Sequence, residues 1–92
     1  MGVIRLTGRL ICADEGQAAL VAAYLTEHIR LTRAEPGCIS FEVRQSGDPL
    51  VWEVAEVFSS RAAFEALQAR AAASACGQAT KGIERQYVIT ED

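Results

Sequence analysis

The chain has 92 residues, half of them hydrophobic, and its nine basic and twelve acidic residues give a formal net charge of −3. This length suits a single domain over residues 1–92, and the lack of a basic run gives nucleic acids and anionic membranes no electrostatic support as partners. The apolar runs are too short to span a membrane and the N-terminus lacks a signal-peptide pattern, so we expect a soluble, cytoplasmic protein.

The first predicted elements are a strand over residues 3–13 and a helix over residues 15–33. Apolar and polar side chains alternate along the strand. Gly8 in its middle marks either a bulge or a place where another group packs against the backbone. Asp14 is placed to cap the helix, whose apolar residues fall on one side, as in a helix that lies on a sheet.

His28, the chain's single histidine, falls within the apolar side of this helix. Such a histidine is commonly a core residue whose ring is hydrogen-bonded to a backbone carbonyl or a buried water. It can also line a pocket and bind a ligand or transfer a proton. The sequence leaves both interpretations open.

A hinge at residues 33–38 ends the helix and starts a predicted hairpin. Pro36 disfavours the helical conformation in the residue before it, and Gly37 supplies freedom for a turn. Alternating residues then predict strands over 38–45 and 51–58, joined by a turn at 46–49.

Glu56 is the unusual residue of the third predicted strand. It shares a face with Trp52, Val54 and Phe58. A carboxylate between such neighbours is costly to bury alone, so it needs an arginine, a backbone donor or an opening to water. A structural ion pair and a polar group in a cavity both satisfy this requirement.

The second predicted helix covers residues 61–76 and is rich in alanine. Its apolar stripe contains Phe64 and Leu67 and continues with alanines, which fill little volume. The helix therefore either packs very close to the sheet or leaves room for a ligand. A last strand is predicted over residues 83–90, with Arg85 and Tyr87 on the same face.

The order of these elements predicts an α+β fold, a ferredoxin-like β-α-β-β-α-β sandwich. Its four-stranded antiparallel sheet carries both helices on one face. Because half of the residues are hydrophobic, we expect a second copy of the chain to cover the other sheet face, giving a homodimer. Cys12, Cys38 and Cys76 are too widely spaced to indicate a disulfide framework or a metal site.

Two stretches resemble the antibiotic biosynthesis monooxygenase family of dimeric α/β barrel proteins. Residues 32–43, TRAEPGCISFEV, are similar to its T-R-x-E-P-G-C signature, and residues 56–67, EVFSSRAAFEAL, to the segment that enters its second helix. The resemblance implies an oxygenase without a cofactor that acts on a small aromatic quinol or polyphenol between sheet and helices. It further implies His28 and Glu56 as catalytic groups and a substrate pocket lined by Tyr24, Trp52, Phe58, Phe64 and Leu67.

The chain also departs from the family pattern. Members often carry a histidine where this chain has Leu67, and the haem-degrading members use an asparagine, a residue type that this sequence lacks. The resemblance therefore disfavours haem degradation. Two alternatives follow: a dimer that binds a small ligand or acts as a stress-related accessory domain without catalysis, and a lyase or isomerase that uses His28 and Glu56.

Overall fold

The computed structural model describes residues 2–92, which form four strands and three helices. Alternating patterns produce the strands, and the one-sided helical pattern produces the long first helix. In chain order the elements are β1 Ile4–Ile11, α1 Glu15–Arg33, β2 Cys38–Gln45, β3 Val51–Phe58, α2 Arg61–Ala73, α3 Ala75–Ala79 and β4 Glu84–Glu91.

The four strands form one antiparallel sheet in the order β2-β3-β1-β4. This arrangement confirms the predicted ferredoxin-like fold. Opposite Leu6 of β1 stands Glu56 of β3, and opposite Gly8 stands Val54, so alternate residues of each strand share the face that meets the helices. The core lies between this face and the helices and contains Ile4, Leu6, Leu10, Val21, Trp52, Val54, Phe58, Phe64 and Leu67.

The hinge between α1 and β2 is held by contacts on both sides. Gly37 adopts a φ of 88°, a left-handed conformation that favours glycine. Before it, the buried Glu35 forms an ion pair with Arg70 of α2, and Arg33 donates from Nε to the Phe41 carbonyl oxygen at 3.1 Å. The end of α1 is thereby fixed to both β2 and the second helix.

The second helix is shorter than predicted, because Ser74 interrupts it. The backbone of Ser74 is extended, with a ψ of 166°. Its hydroxyl donates to the Ala71 carbonyl oxygen at 2.7 Å and accepts from the Gly77 amide at 3.0 Å. The prediction of one helix through residue 76 was therefore wrong: serine closes α2 and caps the separate short helix α3.

The sheet face opposite the helices carries exposed apolar side chains. Val88, which pairs with Thr7 on this face, is 62% exposed, and Ile39, at a bulge between Cys38 and Ser40 of β2, is 59% exposed. No part of the chain within residues 2–92 covers them. Within the same range, no helix is long and apolar enough to cross a membrane.

Candidate active site

A cavity of about 450 Å³ lies between the sheet and the three helices. This volume is typical of sites that enclose a small organic ligand. Its walls are apolar for the most part, with a few polar side chains among them. The apolar lining includes Leu10, Val21, Leu25, Val43, Val54 and Leu67, and the polar lining includes His28, Glu56, Cys76, Arg85 and Tyr87.

Three of the residues named from the sequence meet in this cavity: His28, Glu56 and Leu67. His28 comes from α1, Glu56 from β3 and Leu67 from α2. Each stands on the side of its element that faces the core. The fold therefore joins residues that are up to 39 positions apart in the sequence.

The four aromatic residues named from the sequence are not part of the lining. Phe58 is fully buried, and its ring packs edge-on against Phe64 with 5.8 Å between centroids. Trp52 is buried in the same core, and Tyr24, in the middle of α1, is 36% exposed. The resemblance implies these rings as a pocket wall, whereas Trp52 and Phe58 of β3 and Phe64 of α2 lie in the packed core. Phe41 and Tyr87 are the aromatic residues that line the cavity.

Glu56 is a buried carboxyl group that lacks a protein partner. The residue is only 8% exposed, and its Oε1 atom has no hydrogen-bond partner in residues 2–92. None of the ion pairs in that range includes Glu56. Burial raises the pKa of this carboxyl to about 7. Of the two interpretations from the sequence, the structure favours a polar group in a cavity.

His28 lines the same cavity and packs against Phe41. The His28 ring meets the Phe41 ring edge-on, with 5.5 Å between centroids, and Phe41 pairs with Glu56 on the neighbouring strand. Burial and then the positive charge of Arg85 lower the pKa of the imidazole. The ring is therefore neutral at pH 7 and has one nitrogen that accepts a proton or hydrogen bond.

Arg85 of β4 is fixed at the cavity by the turn before its own strand. Its Nη1 atom donates to the carbonyl oxygens of Thr80 at 3.0 Å and Ile83 at 2.9 Å. Its Nη2 atom donates to the Thr80 hydroxyl at 3.1 Å. These bonds hold a permanent positive charge at the wall of the cavity.

The Tyr87 ring lies close to Gly8 of β1, a residue that has no side chain to occupy this space. A Cβ atom at Gly8 would stand 2.6 Å from Cδ1 of Tyr87 and 2.1 Å from the Gln86 carbonyl oxygen. The β1 register has no bulge at this point. Of the two roles predicted for Gly8, the close approach of another group is therefore confirmed.

The hydroxyl of Tyr87 joins the polar part of the cavity. Burial is the largest influence and raises its pKa, the Arg85 charge lowers it, and the negative charge of Glu56 raises it again. The phenol therefore stays protonated at neutral pH and can donate a hydrogen bond. Arg85 and Tyr87 were missed as site residues, although their shared face and Gly8 were the signals that pointed to them.

Small residues line the side of the cavity that α2 and α3 form. Ala71 and Ala72 of α2 and Gly77 of α3 line it, so the alanine-rich stripe leaves space for a ligand. Cys76 also contributes, and burial raises the pKa of its thiol, which is therefore protonated at neutral pH. Within residues 2–92, no group of three or more His, Cys, Asp or Glu side chains is arranged to hold a metal ion.

Together these side chains can take up, hold and return a proton within an apolar cavity. A carboxyl group with a pKa near neutrality can act as a base or an acid at pH 7. A phenol and a neutral imidazole can bind a polar ligand atom, and a guanidinium can stabilise negative charge. A flat, partly polar molecule fits these features.

Comparisons with known proteins agree with this fold. The family model described as Antibiotic biosynthesis monooxygenase matches residues 7–79. No curated protein matches the chain at a significant level.

Several solved structures share the architecture. SnoaB, described as a cofactor-independent oxygenase from Streptomyces nogalater, is 11% identical with a TM-score of 0.79, over 98% of this chain and 92% of that one. A protein from Shewanella oneidensis is 23% identical with a TM-score of 0.77, over 99% and 91% of the two chains. Rv0793 from Mycobacterium tuberculosis is 19% identical with a TM-score of 0.74, over 96% and 92%. At these identities the likeness establishes the fold alone.

Proposed function

The chain belongs to the antibiotic biosynthesis monooxygenase family, and we propose from this premise that it oxygenates a small phenol or quinol without a cofactor. The observation that carries the proposal is Glu56, a buried carboxyl group in the cavity with no protein partner. Leaving such a group unpaired costs stability. A substrate hydroxyl in the cavity would supply the missing partner.

The first step is removal of a proton from the substrate hydroxyl. Since the pKa of Glu56 is raised to about 7, a large share of the enzyme carries the ionised form at neutral pH. The carboxylate accepts the phenolic proton and leaves an electron-rich phenolate. Tyr87 and the neutral His28 are placed in the same cavity to bind the substrate oxygen.

The phenolate then reacts with molecular oxygen. One electron passes from the ring to O₂, and the resulting radical and superoxide combine to form a carbon–oxygen bond at a ring carbon that bears hydrogen. Glu56 returns its proton to the distal peroxide oxygen, and loss of that carbon's hydrogen as a proton breaks the O–O bond. The products are a quinone carbonyl and one water, so the phenol and O₂ are fully accounted for.

The apolar walls serve this chemistry by excluding water. Leu10, Val21, Val54 and Leu67 surround the reacting region. An anion in such a place responds strongly to the nearby charges and hydrogen-bond donors, because water does not screen them. Phe41 and Tyr87 offer ring surfaces against which a flat substrate can pack.

A homodimer completes the proposal. Val88 pairs with Thr7 and is exposed on the sheet face that faces away from the cavity, and Ile39 is exposed at a bulge in β2. A second copy packed on this face would bury them and would support the floor of the cavity from behind. Sedimentation or light scattering at micromolar concentration should therefore give twice the mass of one chain.

Oxygen consumption with a panel of naphthalenediols and other quinols tests the proposal. We expect uptake above the rate of autoxidation, with one O₂ consumed for each quinone formed. His28→Ala and Glu56→Gln should slow it, whereas Glu53→Gln, on the other face of the same strand, should not. Uptake equal to that in buffer for every compound would contradict the proposal.

A second candidate is binding of a small apolar ligand without turnover. Leu67 favours it, because it gives the cavity an apolar side chain where family members often carry a histidine. In that case a bound compound would raise the melting temperature, with stabilisation of about 2.7 kcal/mol at a hundredfold excess over Kd. It would do so without oxygen uptake or product.

A further inference from the structure

The cavity carries a positive charge that no carboxylate neutralises. Arg85 and Lys81 both line it. Among residues 2–92, none of the ion pairs includes either of them. No hydrogen bond or ion pair joins Arg85 to Glu56 in the same range either. The cavity is therefore suited to a ligand that brings its own negative charge.

The guanidinium of Arg85 has hydrogen-bond donors left for such a ligand. Three of its five N–H groups bind Thr80 and Ile83, two on Nη1 and one on Nη2, and the guanidinium also lies within hydrogen-bond reach of the Tyr87 hydroxyl. Both Nη1 and Nη2 donate to Thr80, so the end of the guanidinium is turned towards this residue. The two remaining N–H groups, one on Nε and one on Nη2, point in parallel from one side of the guanidinium. That side matches the two oxygens of a carboxylate.

Arg85 and Glu56 stand at different ends of the cavity. Arg85 pairs with Leu10 of β1, whereas Glu56 pairs with Leu6, so they are two strands and four residues apart. Ordinary sheet spacings put roughly 16 Å between their Cα positions. Both side chains line the cavity, and the row of residues between them, Val54, Gly8 and Tyr87, is apolar apart from the Tyr87 hydroxyl. The space left suits an aromatic ring system with a polar group at each end.

We propose that the substrate is an aromatic acid, with a carboxylate held by Arg85 at one end and a hydroxyl group near Glu56 at the other. This inference rests on the proposed function for the role of the hydroxyl. Lys81 adds positive charge at the Arg85 end of the cavity.

The experiment compares two probes that differ in charge alone. One is a hydroxynaphthoate with its hydroxyl and carboxylate at opposite ends of the fused rings, and the other is the corresponding neutral carboxamide. Isothermal titration calorimetry measures the Kd of each. We expect the carboxylate to bind about tenfold more tightly or better, as is typical of a charge-assisted, two-point hydrogen bond.

Two variants locate the source of this preference. Arg85→Gln should weaken carboxylate binding by about tenfold and leave carboxamide binding unchanged, which also shows that the cavity is intact. Arg44→Gln removes an exposed arginine of β2 on the opposite sheet face and should change neither. Equal binding of the two probes, an unchanged preference in Arg85→Gln, or no binding of either probe would overturn the inference.

Binding and turnover are measured separately, so the two proposals can fail independently. A selective carboxylate site without oxygen uptake would contradict the oxygenase and support the inference about the acid. Oxygen uptake with neutral quinols together with equal binding of the two probes would do the reverse.

Discussion

Replacement of Glu56 by glutamine should change how the stability of the protein depends on pH. The folded protein holds the proton of this carboxyl more tightly than the unfolded chain, since burial raises its pKa from 4.5 to about 7. The stability associated with the protonated form is fully present below about pH 4.5 and is lost as the pH rises through about 7. At about 1.36 kcal/mol per pKa unit, the free energy of unfolding should fall by about 3 kcal/mol over this interval.

Urea unfolding at a series of pH values measures this effect. Trp52 is the single tryptophan of the chain and is buried, so its fluorescence reports the transition. The difference in unfolding free energy between the wild type and Glu56→Gln should change by about 3 kcal/mol between pH 4.5 and pH 8. The lowered pKa of His28 acts in both proteins and cancels in this difference.

Glu53→Gln is the matched control, because Glu53 is exposed on the other face of β3. Its difference from the wild type should stay constant over the same pH range. Protein concentration must be fixed throughout, since association would also shift the transition. A constant difference for Glu56→Gln as well would refute the idea that Glu56 is held without a partner.

Three further predictions concern packing, cavity size and association. In the same urea assay, Gly8→Ala should lower the unfolding free energy by about 2 kcal/mol, because its Cβ would stand 2.1 Å from the Gln86 carbonyl oxygen. Gly47→Ala, with open space around it, should change the unfolding free energy by less than about 0.5 kcal/mol. Ala71→Leu should fill the cavity and weaken hydroxynaphthoate binding by at least about tenfold, measured by calorimetry, whereas Ala69→Leu, on the exposed side of α2, should leave the Kd unchanged. The same Kd in Ala71→Leu as in the wild type would contradict the placement of the ligand. Val88→Glu places a charge on the exposed apolar sheet face and should give a monomer in light scattering, whereas Ala19→Glu, on the exposed side of α1, should remain a dimer. A monomeric wild-type protein would contradict this prediction.

Local patterns in the sequence predicted most of the fold. The bounds of β2 and β3 follow from alternation between a proline-glycine hinge and a polar turn, although a bulge between Cys38 and Ser40 interrupts the alternation at the start of β2. The bounds of α1 follow from its aspartate cap and one-sided pattern. The end of α2 was missed because the Ser74 hydroxyl replaces two helical hydrogen bonds: it donates to the Ala71 carbonyl oxygen and accepts from the Gly77 amide. This helix end depends on one side chain and does not alter the spacing of apolar residues from which the helix was predicted.

The candidate site was predicted where a polar residue interrupts an apolar face. His28 and Glu56 both do so, and both line the cavity. Phe58 and Phe64 were named from the family resemblance, but the two rings, one from β3 and one from α2, pack against each other in the core. Arg85 was missed because its role depends on β4 lying beside β1, a long-range pairing that local patterns do not encode.

The pH dependence of oxygen uptake shows whether Glu56 removes the proton from a phenolic substrate in the cavity. With an electron-rich naphthalenediol at saturating concentration, the wild-type rate should rise with pH about a midpoint near 7 and level off above it. Glu56→Gln should lose this rise and retain only the slow increase that ionisation of the substrate itself produces. The same profile in both proteins would contradict this role of Glu56.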